Sequence, residues 1–366
     1  MTITLSRRSA LAGLGLLCST AALAACANGS SGDRLKVVII SKSYQNQFYQ
    51  AAFKGAKDAA DKLSVDLETN GPDAESNVSQ QVEQLAAAVN QHPDAIALAA
   101  SQPDAVQDAL VNAKSQSIPV IGFDSGVPGD ASGAVVATAT TDNVAAGGNV
   151  ATNLAANEAF KTAVGAGTAS APAVIGVLAQ DSTSGSIVQR VNGFVDTLVA
   201  ELEKISGLAG AVDVSGQQQW TKPSASPAKA KIVVTVPPTT SQADIQSAAA
   251  SILSTGGLVA LFAANQDGVN GVISATNDAT DLDRTSGKYK NLLVVGFDAG
   301  KSQKDAVRSG AFLGSVTQDP YQMGYQAVEL AVKAAKGEAV ADVDTGSHWY
   351  DASNIDNEDI SILLYD

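Results

Sequence analysis

The sequence predicts an α/β protein of two similar lobes, each an open parallel sheet with helices packed on both faces. Three observations carry that expectation. Short β-branched runs alternate with amphipathic helical stretches along the body of the chain. Those runs are continuously apolar, which is the pattern of a strand buried on both faces. Two strand ends also repeat. Ile118-Pro119-Val120-Ile121-Gly122-Phe123-Asp124-Ser125-Gly126 parallels Leu292-Leu293-Val294-Val295-Gly296-Phe297-Asp298-Ala299-Gly300. Upstream, Ala97-Leu98-Ala99-Ala100-Ser101-Gln102 parallels Ala260-Leu261-Phe262-Ala263-Ala264-Asn265-Gln266 with a small offset. Two matches in the same order argue for duplicated architecture.

The elements follow in order. Leu35-Lys36-Val37-Val38-Ile39-Ile40 reads as the first strand. A helix over 48–63 places Ala52, Phe53, Ala56, Ala59, Ala60 and Leu63 on one face. Strand 65–68, helix 77–90, strand 95–99, helix 104–115 and strand 119–123 complete a βαβαβαβ series, which calls for right-handed crossovers. The second series runs through helix 144–160, strand 174–178, helix 186–203 and strand 211–214. After an irregular stretch come helix 242–253, strand 258–263, helix 268–276, strand 291–297 and helix 302–309. Residues 222–240, with Pro223, Pro227, Pro237 and Pro238, read as an inserted loop.

Composition narrows the function. The chain has 366 residues with 23 Lys and Arg against 37 Asp and Glu, a net charge of −14. Such a chain repels phosphate backbones, so no nucleic-acid partner is expected. Two histidines and two cysteines cannot close a Cys/His zinc site or a disulfide framework. No P-loop, dinucleotide fingerprint or nucleophile elbow follows a strand, so neither a cofactor nor an enzymatic activity is expected.

The first segment reads as an address. Ser6-Arg7-Arg8 precedes an uncharged run from Ala10 to Ala25 that is too short and too rich in Ala and Gly to span a membrane comfortably. It ends Leu23-Ala24-Ala25-Cys26, which resembles the bacterial lipobox, and the Arg pair resembles a twin-arginine export signal. Residues 1–25 are then a signal peptide and 26–33 a tether lipidated at Cys26. The protein would be exported and held at the outer face of the cell membrane. Cys18 would leave with the signal.

The paired aspartates supply the chemistry. Each sits one residue past a strand, at the carboxyl edge where open α/β sheets bind ligands. Alone, such an Asp is often only a turn former or helix cap. Two in facing lobes converge on one cleft.

With these motifs in this order, the chain resembles the ribose-type periplasmic sugar-binding proteins, the solute-binding components of ABC importers. Ser41-Lys42-Ser43-Tyr44-Gln45-Asn46-Gln47-Phe48-Tyr49 is similar to that family's first-strand loop. Thr141-Asp142-Asn143 resembles a hinge crossing, Gln189-Arg190-Val191-Asn192-Gly193-Phe194 an Arg-bearing helix, and Val316-Thr317-Gln318 the segment before a second crossing. The resemblance implies the type I periplasmic binding protein fold: two Rossmann-like lobes joined by a three-strand hinge. One lobe would comprise 34–140 and 319–344, the other 141–318 and 345–366. The hinge strands would lie near 139–143, 317–319 and 344–350. It implies a ligand site formed by Ser41, Asn46, Phe48, Tyr49, Asp124, Arg190, Trp220, Asn265, Asp298 and Gln318.

Those side chains suit a small neutral sugar or sugar alcohol. The carboxylates accept from hydroxyls, the amides both donate and accept, and the guanidinium offers a rigid fork. Phe48, Tyr49 and Trp220 would pack on C–H faces. The implied partners are a permease and its ATPase subunits, with the binding protein itself monomeric. Ser125 departs from the pattern, because the family commonly carries Arg after this Asp. The missing contact to a ring oxygen points towards an open-chain sugar alcohol. A sugar-responsive repressor shares the lobes but needs a basic headpiece, and a signal peptide and tether occupy that space.

Overall fold

The computed structural model describes residues 34–365. The first half of the chain gives β1 (Lys36–Ile40), α1 (Gln47–Leu63), β2 (Asp66–Asn70), α2 (Val78–Asn90), β3 (Ala95–Leu98), α3 (Gln107–Ser115), β4 (Val120–Phe123) and β5 (Val135–Thr140). The second gives α4 (Asn143–Ala156), α5 (Glu158–Gly165), β6 (Ala173–Leu178), α6 (Gly185–Glu203), β7 (Val212–Gly216), β8 (Ala230–Thr235), α7 (Gln242–Leu253), β9 (Leu258–Ala263), α8 (Gln266–Ala275), β10 (Leu293–Phe297), α9 (Lys301–Arg308) and β11 (Gly314–Gln318). The chain closes with α10 (Pro320–Ala335), β12 (Val343–Asp344), β13 (Ser347–Tyr350) and α11 (Glu358–Ser361).

The strands form two sheets, β12-β5-β4-β3-β1-β2 and β13-β11-β10-β9-β6-β8-β7. All pairings are parallel except β11 with β13. The duplication is visible in the order itself. Strands 2-1-3-4-5 of the first sheet correspond to 8-6-9-10-11 of the second, which adds β7 at its edge. Each sheet changes direction of growth at one place, between β1 and β3 and between β6 and β9. Ligands of open α/β sheets bind at such switch points.

Burial agrees with the apolar runs. Val37, Val38, Ile39 and Ile40 are inaccessible to solvent, as are Ile175, Val177 and Leu178 of β6. Each sheet has a core on both faces. On one face of each sheet a helix pair packs through glycines. A Cβ on Gly55 would lie 1.9 Å from the Tyr321 carbonyl oxygen and one on Gly324 1.8 Å from that of Ala52, so α1 and α10 meet backbone to backbone. The α4–α6 pair does the same at Gly147 and Gly193, each 2.0 Å from a facing carbonyl. We therefore expect Gly324→Ala to destabilise the protein by about 3 kcal/mol through overpacking, read as a lower urea midpoint. A stability within about 0.5 kcal/mol of wild type would show that this contact yields freely.

Two expectations need correction. Residues 222–240 are not an inserted loop, because 230–235 form β8, an inner strand between β6 and β7. Ala230, Ile232 and Val234 point into the core. The four prolines bound this strand rather than mark a loop, since proline is excluded only from strand interiors. The helix expected over 144–160 is two helices. Asn157 has extended backbone, ends α4 and caps α5 by accepting from the Phe160 N–H at 3.1 Å.

The chain passes between the sheets three times: between β5 and α4, between β11 and α10, and between β12 and β13. The first and third passages are hydrogen-bonded. The Thr345 N–H donates to the Thr140 carbonyl at 2.8 Å, and the Asp142 N–H to Asp344 Oδ1 at 3.0 Å.

Candidate functional site

The carboxyl ends of β1, β4, β9, β10 and β11 converge on one buried cavity. Lining it are Asn46, Phe48, Tyr49, Asp124, Arg190, Asn265, Asp298 and Gln318, eight of the ten expected residues.

The two aspartates are built alike. Asp124 follows β4 and Asp298 follows β10, each with left-handed backbone, φ 53° and 73°. Asp tolerates that region better than most residues. Each main-chain N–H is held by the next strand, Asp124 to Ala139 at 3.0 Å and Asp298 to Val316 at 2.7 Å. The turn lifts each carboxylate out of the sheet and into the cleft. Asp124 Oδ2 accepts from the Tyr49 hydroxyl at 2.7 Å. Asp298 Oδ1 accepts from Gln318 Nε2 at 2.5 Å, and Oδ2 from the Gln266 N–H at 2.9 Å.

Arg190 lies on the inner face of α6 and is almost fully buried. It donates through Nη1 to the Ala264 carbonyl at 2.6 Å and through Nη2 to Asn143 Oδ1 at 2.8 Å. Its guanidinium carbon stands 3.5 Å from the centre of the Phe297 ring. Burial lowers its affinity for the proton; Asp298 and Asp124 oppose that shift. Asn46 and Asn265 serve two ends at once. Each lines the cavity and caps a helix, Asn46 accepting from the Phe48 N–H and Asn265 from the Gly268 N–H.

Two expected residues lie outside the cavity. Trp220 is packed in the core of the second lobe, and its indole donates to Asn192 Oδ1 at 2.8 Å. It follows β7, the additional edge strand, and so stands at the edge farthest from β10 and β11. Ser41 is fully buried beneath the first loop, where its carbonyl accepts from Gln81 Nε2 at 2.8 Å. It supports the loop and does not line the cavity.

Five lining residues were not singled out in the sequence: Lys42, Glu75, Ser186, Ile187 and Gln266. Lys42 is the consequential one. Its buried ammonium lies 3.4 Å from Asp124 and 3.8 Å from Glu75. Burial by itself would lower its pKa, but Glu75 and Asp124 outweigh that and hold it above the ordinary range. The signal for Gln266 was its place beside Asn265 in the repeated strand end. Glu75 carried none.

Several bonds cross between the lobes. Lys42 Nζ donates to Ser184 Oγ at 3.3 Å, Gln180 Nε2 to Glu75 Oε2 at 3.1 Å, and Gln266 Nε2 to Gln47 Oε1 at 2.9 Å. The cavity measures about 20 Å³, room for roughly one water molecule. Two acceptors facing this region, Gln266 Oε1 and Gln318 Oε1, are buried with no hydrogen-bond partner.

Burial shifts the Glu75, Asp267 and Asp298 carboxyls upward. Glu75 is pushed up to about 7 by burial, against the pull of Lys42, and Asp267 up to about 6 by the same cause. Burial also raises Asp298, with Arg190 opposing. A carboxyl whose pKa rises from 4.5 to about 7 on folding favours the folded state at low pH, and that advantage is lost as pH rises through 7. We expect stability to fall between pH 4.5 and 8 on account of Glu75. Glu75→Gln should remove most of that slope while its carbonyl still accepts from Gln180. Urea unfolding at pH 5 and pH 8 reads this directly. An equal slope in both proteins would contradict the assignment.

The fold and cavity define a two-lobed ligand-binding protein. A family model described as the periplasmic binding protein domain matches residues 37–339, and the chain belongs to that family. It has the type I fold and is a binding protein, not an enzyme. A solved structure from Brachyspira murdochii, described as an ABC transporter, LacI family transcriptional regulator, is 35% identical. The match covers 91% of this chain and 99% of that one, with TM-score 0.75. An ABC transporter solute-binding protein from Agrobacterium vitis, solved with bound D-fucose, is 28% identical over 90% of this chain and 100% of its own, TM-score 0.72. The ribose import binding protein RbsB of Escherichia coli (strain K12) is 25% identical over 331 residues, 89% of this chain and 94% of its own.

Proposed function

We propose that the chain is the solute-binding lipoprotein of an ABC importer. It captures a small neutral sugar or sugar alcohol, of pentose, pentitol or tetritol size, by closing its lobes on it. The observation that carries this reading is the donor and acceptor inventory of the cavity. The unpartnered Gln266 Oε1 and Gln318 Oε1 need hydrogen-bond donors, and the carboxylates of Asp124 and Asp298 can accept further bonds beside those they already hold. An alcohol hydroxyl donates and accepts, so it satisfies them and Arg190 together. An ionised phosphate or carboxylate group by itself has no donor to offer these acceptors. The relatives solved with D-fucose or named for ribose support the same class.

Lys42 bears on the ring form. It places a donor-only group beside Asp124, where Ser125 replaces the family's Arg. A ring oxygen that displaces Ser184 Oγ or Glu75 from the ammonium has a donor there, so cyclic sugars stand beside sugar alcohols as ligands.

A cavity of about 20 Å³ is too small for a sugar, so the lobes part for entry. Residues 34–140 with 319–344 move as one lobe, and 141–318 with 345–366 as the other, about strands near 139–143, 317–319 and 344–350. Ligand then favours the closed form through contacts it makes only there. Cys26 carries the lipid anchor at the outer face of the membrane; it and the signal peptide lie outside the described residues. Among the described residues no helix is long and apolar enough to cross a membrane. The protein acts as a monomer and delivers its ligand to a permease with ATPase subunits.

The test is a thermal-shift panel of pentoses, hexoses, pentitols, tetritols, sugar phosphates and amino acids. Stabilisation by neutral polyhydroxyl compounds alone is expected. Stabilisation by sugar phosphates or amino acids, with none by neutral sugars or alcohols, would overturn the reading.

A further inference from the structure

The chain does not end at the last hinge strand. After β13 it crosses the second lobe, with Ile355 and Ile360 buried in that lobe's core and Asp356 paired with Arg308 at 2.9 Å. Leu363 and Tyr365 then reach the back of the cleft. The Leu363 carbonyl accepts from the hydroxyl of Thr317 in β11 at 3.5 Å. The Tyr365 ring packs against the cores of both lobes. It meets the Phe48 ring edge to face, with centroids 5.9 Å apart and an 82° interplanar angle. Its hydroxyl oxygen accepts from the Ala299 N–H at 3.1 Å.

These two contacts reach both arms of the site. Phe48 lines the cavity and packs edge to face on Tyr49 at 5.1 Å, and Tyr49 donates to Asp124. Ala299 is the residue after Asp298, at a strand end with left-handed backbone. One side chain, carried by a segment anchored to the second lobe, thus supports the Phe48–Tyr49–Asp124 row of the first lobe and the Asp298 turn of its own. Aromatic edge-to-face packing and a part-buried hydrogen bond to a turn both restrict motion of the groups they touch. Burial keeps the phenol neutral, with its pKa well above the usual value.

We infer that Tyr365 is a positioning residue for the cleft, and that residues 351–365 form a strap that holds the Phe48 row and the Asp298 turn in register when the lobes are closed. This rests on reading the cavity as the ligand site, but its test has one readout that needs no ligand.

The experiment compares full-length wild type, Tyr365→Ala and Tyr365→Phe. In Tyr365→Ala, amide exchange over 44–50 and 298–300 should accelerate about tenfold, while that of β1, β3, β6 and β9 stays unchanged. Exchange at the cleft segments equal to wild type overturns the proposal, whatever the ligand proves to be. Equal acceleration everywhere also overturns it, because a merely structural residue would act on the whole fold. With a sugar from the panel bound, Tyr365→Ala should dissociate about tenfold faster at a nearly unchanged association rate. Tyr365→Phe keeps the ring on Phe48 and should recover most of the loss. Failure of wild type to bind any neutral sugar contradicts the functional reading and leaves the exchange result to decide the strap.

Discussion

Replacing Asp298 or Asp124 by Asn lowers sugar affinity at least about 100-fold, with the fold intact. Hydrogen bonds to a charged group contribute about 1.5–3 kcal/mol each, and two lost bonds amount to about 3–6 kcal/mol, which is 100-fold or more. The structure adds a reason specific to Asp298. Both carboxylate oxygens accept from donors, Gln318 Nε2 and the Gln266 N–H. An amide at this position must turn its NH2 towards one of them, setting donor against donor. The turn itself survives, because the main-chain carbonyl of Asp298 still accepts from Tyr350 at 2.8 Å. At Asp124 the substitution removes the charge that faces Lys42, though the Tyr49 hydroxyl can still donate to the remaining carbonyl oxygen. Calorimetric titration measures the affinity, and thermal unfolding checks the fold. A loss below tenfold in both variants would remove the aspartates from the site.

Arg190→Ala costs both binding and stability. Taking away one member of a buried charged group strands the others, which typically costs about 3–5 kcal/mol. Here the variant leaves Asp298 raised further by burial without its opposing cation, and deprives the Ala264 carbonyl and Asn143 of their donor. It also opens a cavity against Phe297. We expect a loss of about 3 kcal/mol or more in urea unfolding and no detectable sugar binding. Arg190→Lys keeps the charge but not the fork, so it should recover part of the stability and little of the affinity. A loss under about 1 kcal/mol in the Ala variant would mean the guanidinium is solvated rather than built into the closed cleft.

These residues differ in how legible they were. Asp124 and Asp298 stood out because the same strand end occurs twice, and a duplicated fold places both at switch points. Arg190, Asn265 and Gln318 followed from the order of motifs. Lys42 did not stand out, since a lysine in a loop is ordinarily solvated and its burial depends on Glu75 and Asp124, 33 and 82 residues away in sequence. Trp220 entered the expected site through the family resemblance alone. Only the edge position of β7 shows that it closes the core instead. Strand β8 was hidden by prolines that punctuate its ends, and Tyr365 by its distance in sequence from Phe48 and Ala299. What sequence alone could not carry was non-local: which charge neutralises which, and which edge a strand occupies.

The most direct measurement is a crystal structure of the full-length protein grown with the neutral sugar or alcohol that stabilises it most. The ligand is expected between the lobes, with hydroxyls within hydrogen-bonding distance of Asp124, Asp298 and Arg190, and with Gln266 Oε1 and Gln318 Oε1 accepting from it or from a bridging water. A ligand that contacts one lobe only, or lies outside this cavity with both aspartates unengaged, would contradict it.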